Sequence, residues 1–575
     1  MLASVRHFAQ NQKIDRFDLL ALAGAILYGI QSIIYARTQL SVLDEGAYLL
    51  KGWWFATGQY TPYQDFGPFT NHMPLAFLIP GWVQAAFGPS LLVARAFAVV
   101  IGLLFITGLW LLARRFGSSF WAAAAVWVVA LNAALIKIYS VGVTQGLIIA
   151  MLIWLLYLVL GEDRHPWQLY FGMALAALMA LTRLNMTAVL FLLPLYLWWQ
   201  HGRALALRAS ALGFGILAIG HALFWPGILQ MWANYTPEGL TPFLDSWRVP
   251  NEALASWTSG RELRGRILSA LETLRFHFVP LLMALFAAVF WPARSDWEDA
   301  ARRRAAVFVG ALLLVLLGMH ALASLALEYC VYCFPLYTAF YSALGPIFLI
   351  LAWPALTEQL PPVRAWITRL SIPPLVIAAL LGAYFSGVIS LLSARMVRSM
   401  LNLELPRLQG FSIPEGRIPL WGLLENRFGF TFAQSFTAVE QFATVLMLIL
   451  AALLLSLIIF RLARKLSWPK REASPLKRVF LLLILVGLVF SPSPILGGGF
   501  ETYDCDANII QAYERLADEL SAYVQPGDLV FWRGGRSAVP LLYLPEAHTY
   551  PAQLNGDYTY RLAGEAEELA RAGLW

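Results

Sequence analysis

Long apolar runs recur along this chain, and the loops between them alternate between arginine-rich and arginine-poor. Runs able to cross about 30 Å of hydrocarbon occur at 18–37, 90–112, 119–137, 140–160, 209–229, 276–292, 305–327, 330–353, 371–393, 437–460 and 479–496. Across 575 residues, 59% are hydrophobic and 13% charged, with a mean hydropathy of +0.65. That balance excludes a soluble multi-domain protein and predicts an all-α polytopic membrane protein.

Charge supplies one further pair of spans. Glu162, Asp163 and Arg164 precede the stretch 167–200, and Arg203 and Arg208 follow it. If both flanks face the cytoplasm, the stretch crosses twice in arms of roughly sixteen residues. Its tip, Thr182-Arg183-Leu184-Asn185, then lies below the outer surface, where a cation needs a partner or a water-filled cavity. The same register puts Arg6, Lys13 and Arg16 before the first span and Arg114, Arg115, Arg294, Arg302, Arg303, Arg304, Arg364 and Arg369 in every second loop. The cluster Arg461, Arg464, Lys465, Lys470, Arg471, Lys477 and Arg478 completes it. The scheme has about thirteen spans, a cytoplasmic N-terminus and an extracytoplasmic C-terminal segment, in an inner or plasma membrane. The first span is expected to be a retained anchor. The net charge of +7 follows from this topology, so no nucleic-acid partner is implied.

Three external segments, 38–89, 230–275 and 394–436, are longer than any inner loop, which places function on the outer face. In the first, 45–57 and 73–87 read as short interfacial or re-entrant helices, with Trp53, Trp54, Tyr60, Tyr63, Phe66 and Phe69 suited to the lipid interface. The membrane part is assigned to 1–496 and a small α/β lobe to 497–575, after the linker Ser491-Pro492-Ser493-Pro494 and Gly497-Gly498-Gly499. Within the lobe, 507–524 reads as helix, 528–532 as strand, 549–550 as a second strand and 564–574 as a second helix. So small a lobe is expected to lean on the membrane part or to be truncated. Cys330 and Cys333 read as small buried apolar residues, and Cys505 stands alone outside.

Asp44 and Glu45 stand at the outer end of the first span. A carboxylate there suits a general base that deprotonates an acceptor hydroxyl attacking an electrophile presented from the lipid. The pair reads equally as a helix N-cap, with Asp44 capping and Glu45 solvated. Arg183 suits an anionic partner, with snorkelling to the interface as the alternative.

The run Leu43-Asp44-Glu45-Gly46-Ala47-Tyr48, then Gly58, Tyr63-Gln64-Asp65 and His72-Met73-Pro74-Leu75, resembles the first external loop of GT-C glycosyltransferases, most closely the protein O-mannosyltransferase and lipid A aminoarabinose transferase group. Arg95, Leu181-Thr182-Arg183-Leu184-Asn185 and the segment from Tyr329 to Pro335 fall where that group has similar elements. The resemblance implies inverting transfer of a sugar from a polyprenyl-phosphate donor to a lipid, polysaccharide or protein acceptor on the outer face. It makes Asp44 the base and Glu45 its helper, with Arg183, Arg95, Asp65, His72, Tyr63 and Tyr329 at the substrates. No cofactor is assigned, and the metal question stays open. Some relatives carry a carboxylate before the proline of this loop, where His72-Met73 stands, and others an acid in the second external loop, whereas 137–145 has none. His72, His277 and His320 share no ligand spacing and read as hydrogen-bonded histidines. The role of Glu328 is open. A lipid or solute transporter or flippase is the alternative from another class, though the one-sided loops and uninterrupted spans fit it less well. A non-catalytic scaffold of the same fold is the third.

Overall fold

A computed structural model of the chain describes residues 14–64, 70–248, 277–322, 334–356, 508–531 and 537–550, with a few positions inside these ranges excepted and a few beyond them included. Helix α1, Arg16–Thr38, opens on Asp15, whose carboxylate accepts from Phe17 N at 2.8 Å and Asp18 N at 3.1 Å. It turns Leu19, Leu22, Ile26, Ile30 and Ile33 outward, each 48% to 60% exposed. Such an apolar stripe is stable against lipid and a liability in water. The first external loop follows as α2, Leu43–Thr57, and α3, Leu75–Phe87, close to the expected 45–57 and 73–87. The two touch backbone to backbone at Gly52 and Gly81: a Cβ on Gly52 would sit 2.4 Å from Phe77 O.

Helix α4, Leu91–Phe116, is the longest described element and returns antiparallel to α1, with Arg114 Nε 3.1 Å from Asp18 Oδ1. The run expected as one span at 119–137 is instead α5, Ser119–Ala130, and α6, Ala133–Tyr139. The break is at Asn132, whose side chain caps Leu135 N at 3.1 Å; a local side-chain acceptor competes with the helical ladder. Helix α7, Thr144–Val159, starts later than the expected 140. Then come α8, Pro166–Thr182, a 3₁₀ turn at Leu184–Met186, and α9, Thr187–His201. They form a helical hairpin over the stretch 167–200, with Arg183 between its arms.

Helices α10, Arg203–Leu223, α11, Phe278–Val289, and α12, Ala300–Ala321, continue the bundle. The expected span 330–353 is also broken, into Phe334–Thr338 and α13, Leu344–Ala352. Pro346 lacks an N–H for the carbonyl of residue 342, so the helix starts with the proline in its first turn. Among the described residues, α1, α4, α10 and α12 are long and apolar enough to cross a membrane, with shorter apolar helices beside them. The chain is a multi-pass membrane protein. The expected spans at 371–393, 437–460 and 479–496 lie outside the described residues, as do Cys330, Cys333 and Cys505.

One large apolar core runs through the bundle, from Tyr28 and Phe105 to Ile153, Val189, Leu312 and Leu349. Near the C-terminus, α14, Ile509–Ser521, β1, Leu529–Phe531, α15, Val539–Leu542, and β2, His548–Tyr550, follow in order. The strands pair in parallel, Val530 opposite Thr549. Helix and strands stand where the sequence placed them; the helix expected at 564–574 lies outside the described residues.

Candidate active site

Helix α2 begins at Leu43, so Asp44 lies inside its first turn and does not cap it. Glu45 is fully buried and faces α4. Its Oε2 is 2.7 Å from Arg95 Nη2 and its Oε1 is 3.0 Å from Arg95 Nε, a forked ion pair. Gly142 N–H donates to the same Oε1 at 2.8 Å. Arg95 Nη1 donates to Ala36 O at 2.8 Å and Gln39 O at 2.7 Å, the last carbonyls of α1. Burial opposes ionisation of Glu45, but the Arg95 charge and the bonds from Arg95, Gly142 and Ser41 outweigh it and hold the carboxyl below its usual range. Arg95, expected at the substrates, is instead spent on the protein and fixes the start of α2 against α1 and α4. Glu45, expected as the helper of Asp44, is held in the same clamp.

The adjoining glycine is explained by the C-terminal segment. A Cβ on Gly46 would lie 2.6 Å from Ala538 N and 2.6 Å from Ser537 Oγ, so only glycine lets that backbone approach. Ser41 Oγ and Ser537 Oγ share a hydrogen bond of 2.8 Å, and Leu91 N donates to Tyr543 OH at 3.1 Å. Leu49, Trp54, Leu91 and Ala94 bury with Ile510, Val539 and Leu541 in one apolar cluster.

A second polar group lies on the Tyr48 face of α2. Arg183, set in extended backbone where α8 ends, donates from Nη1 to Tyr48 OH at 2.8 Å and lies 3.2 and 3.3 Å from the ring nitrogens of His72. Its guanidinium carbon is 5.1 Å from the centre of the Phe340 ring. His72 stacks on Tyr48 at 5.3 Å and 18°. Burial, then the charges of Arg183 and Lys51, keep its imidazole well below the usual pKa, hence neutral. The loop is tied by Tyr63, whose OH donates to His72 O at 2.9 Å and whose N–H donates to Thr70 Oγ1 at 3.0 Å. Tyr63 has φ +65°, a conformation that non-glycine residues rarely adopt. Past Arg183, the Asn185 amide bonds His320 Nε2, and His320 Nδ1 is 3.1 Å from Tyr341 OH. The expectation that His320 is a hydrogen-bonded histidine fits this contact.

The structure therefore brings Arg183, His72 and Tyr63 together and adds Tyr48, Lys51, Asn185 and His320. Tyr48 and Lys51 follow Asp44 by four and seven residues, one and two helical turns, and that spacing was legible in the sequence. Asp65, Tyr329 and Glu328 lie outside the described residues, as does the side chain of Asp44. Among the described residues no three His, Cys, Asp or Glu side chains gather closely enough to hold a metal ion. Beside the Glu45 clamp, an apolar cleft lined by Leu49, Pro80, Ala94, Phe97, Ile101 and Leu147 runs between α2, α3, α4 and α7.

Neither a family model nor a curated protein matches the chain. Among solved structures, it is similar to ArnT from Cupriavidus metallidurans bound to undecaprenyl phosphate, with 14% identity, a TM-score of 0.46, and 94% of this chain and 87% of that one covered. It is likewise similar to the apo state of the same protein, with 13% identity, a TM-score of 0.46, and 96% and 88% covered.

Proposed function

We propose that the chain is an integral-membrane glycosyltransferase that moves a sugar from a polyprenyl-phosphate donor to an acceptor on the extracytoplasmic face, with inversion. The observation that carries this reading is the Arg183 site. An arginine at the turn between two short apolar helices meets the Tyr48 hydroxyl, the His72 imidazole and the Phe340 ring. A guanidinium so placed suits a phosphate, because the fork and charge together offset its desolvation. The apolar cleft beside the Glu45 clamp suits an isoprenoid or acyl chain.

Asp44, one turn before Tyr48, is the base. Its carboxylate accepts the acceptor hydroxyl proton as that oxygen attacks the anomeric carbon. The bond from that carbon to the phosphate oxygen breaks, and polyprenyl phosphate leaves with its charge held by Arg183. The Glu45–Arg95 pair sets the position of Asp44 without touching substrate.

The test is transfer from polyprenyl-phosphate sugars by the purified protein in nanodiscs, comparing wild type with Asp44→Asn. Turnover is expected to fall by about a hundredfold to ten-thousandfold with folding intact. Near-normal turnover by the variant removes Asp44 from the mechanism. Failure of the wild type to bind any polyprenyl-phosphate sugar removes the reading itself.

A further inference from the structure

The bundle has a second cationic site, at the end opposite Arg183. Helix α4 spans about 39 Å by its residue count and carries Arg95 near one end and Arg115 at the other. Helix α8 runs between Arg164, two residues before its start, and Arg183, while α12 carries Arg302, Arg303 and Arg304 in its first turns and His320 in its last. Contacts bring the far ends together. Arg115 donates to Tyr157 O at 2.9 Å and Leu160 O at 2.5 Å, at the end of α7. At the next residue, Gly161 with φ +104°, a Cβ would lie 2.5 Å from Arg115 Nη2 and 3.8 Å from Arg164 Nε, so two guanidinium groups converge on one turn. Arg304 closes the group from α12, its Nη2 3.7 Å from Glu162 Oε1.

The cluster is short of acceptors. The Nε atoms of both Arg164 and Arg304 are buried with no hydrogen-bond partner. A buried donor without an acceptor costs more than the bond it lacks, and more still when charged. Among the described residues Glu162 is the carboxylate in ion-pair range of Arg304, with its side chain 61% exposed, and the Asp163 charge acts on Arg115 and Arg164 from the same turn. Trp167, Trp198 and Trp199 are exposed around this end, and Arg303 lies 5.6 Å over the Trp199 ring. Exposed tryptophans at a helix-bundle end sit at headgroup depth.

We propose that Arg115, Arg164 and Arg304 form a binding site for the phosphate of an anionic phospholipid headgroup, in the leaflet opposite the Arg183 site. The phosphate supplies the missing acceptors for the two Nε donors, and basic pockets between membrane helices take anionic headgroups in this way. A free inorganic anion has the same chemistry; the tryptophan ring around the site favours the lipid.

The test is native mass spectrometry of the full-length protein with phosphatidylglycerol and phosphatidylcholine in equal amounts, with and without inorganic phosphate. Wild type is expected to retain phosphatidylglycerol preferentially. Arg164→Gln and Arg304→Gln are each expected to cut that preference about fivefold, and Arg164→Lys to keep much of it. Thermal unfolding with each lipid added checks that the variants fold. Absence of a preference in the wild type overturns the proposal without any variant. So does an undiminished preference in the double variant, or loss of bound phosphatidylglycerol to millimolar inorganic phosphate, which would mark a free-anion site.

Discussion

Arg95 and Arg183 meet one helix at neighbouring positions three residues apart, Glu45 and Tyr48, the first a closed face and the second an open one. Arg95 makes four hydrogen bonds, all to protein acceptors, two of them to the buried Glu45. Arg183 contacts a phenol, an imidazole and a ring face. A charge paired with a buried carboxylate is part of the scaffold, whereas under the proposed function a guanidinium beside a phenol, an imidazole and a ring face suits an incoming anion. The contrast separates two residues that sequence reasoning grouped together at the substrates.

The largest effect is expected on the closed face. Arg95→Ala leaves Glu45 charged and buried without its partner, which costs about 3–5 kcal/mol. Thermal unfolding in detergent measures this, and a double variant Glu45→Gln/Arg95→Met should recover part of the loss, because it removes both charges. A small change in unfolding for Arg95→Ala would mean that the pair is not the anchor of α2.

Arg183→Ala should do the reverse. Donor affinity is expected to weaken about 10- to 100-fold, the worth of a hydrogen bond to a charged group, while unfolding shifts little. Lysine at this position should rescue in part, since it brings the charge without the fork. Binding of a polyprenyl-phosphate sugar to the three proteins in nanodiscs decides it. A collapse in stability with unchanged affinity would make Arg183 a second Arg95.

The sequence displayed the open face better than the closed one. The helical hairpin around Arg183 followed from flanking charges and the length of the apolar stretch, both local properties. So did the two helices of the first loop and the helix and strands near the C-terminus. The Glu45–Arg95 pair did not, because it joins residues 50 positions apart, and an arginine inside an apolar run looks the same whether it awaits a ligand or a carboxylate. The breaks at Asn132 and Pro346 were passed over for a related reason: hydropathy averages over a window and hides one residue that caps or interrupts a helix. Gly46 drew no separate reading, because the backbone that approaches it, at Ser537 and Ala538, is nearly five hundred residues away along the chain.

That contact yields the next effect. Gly46→Val puts a branched side chain where a Cβ alone would meet Ala538 N at 2.6 Å, an overpacking cost of about 1–3 kcal/mol. The strain is expected to lift α15 from α2, so protease should cut near residue 537 faster than in wild type while the Arg183 site keeps its donor affinity. Equal cleavage rates would show that the C-terminal segment does not depend on this contact.

The smallest effect separates the two faces by pH. Burial and the charges of Arg183 and Lys51 hold the folded His72 well below its usual pKa, so the unfolded chain binds the extra proton once pH drops below about 6.5. Stability is therefore full above that value and declines as pH falls through the window beneath it. Glu45 acts in a lower window. Its carboxyl is held below the usual range, so its stabilisation is present above about 4.3 and is lost only as pH falls further. Wild type minus His72→Gln, followed by unfolding from pH 7 to pH 5, isolates the histidine, because every other titrating group cancels in the difference. The slope is expected to be at most about 1.4 kcal/mol per pH unit and smaller in practice, since His72 is partly exposed and solvent screens it. A difference that stays flat across this range would mean that the folded His72 takes up its proton as readily as the unfolded one, and that the charges of Arg183 and Lys51 do not reach it.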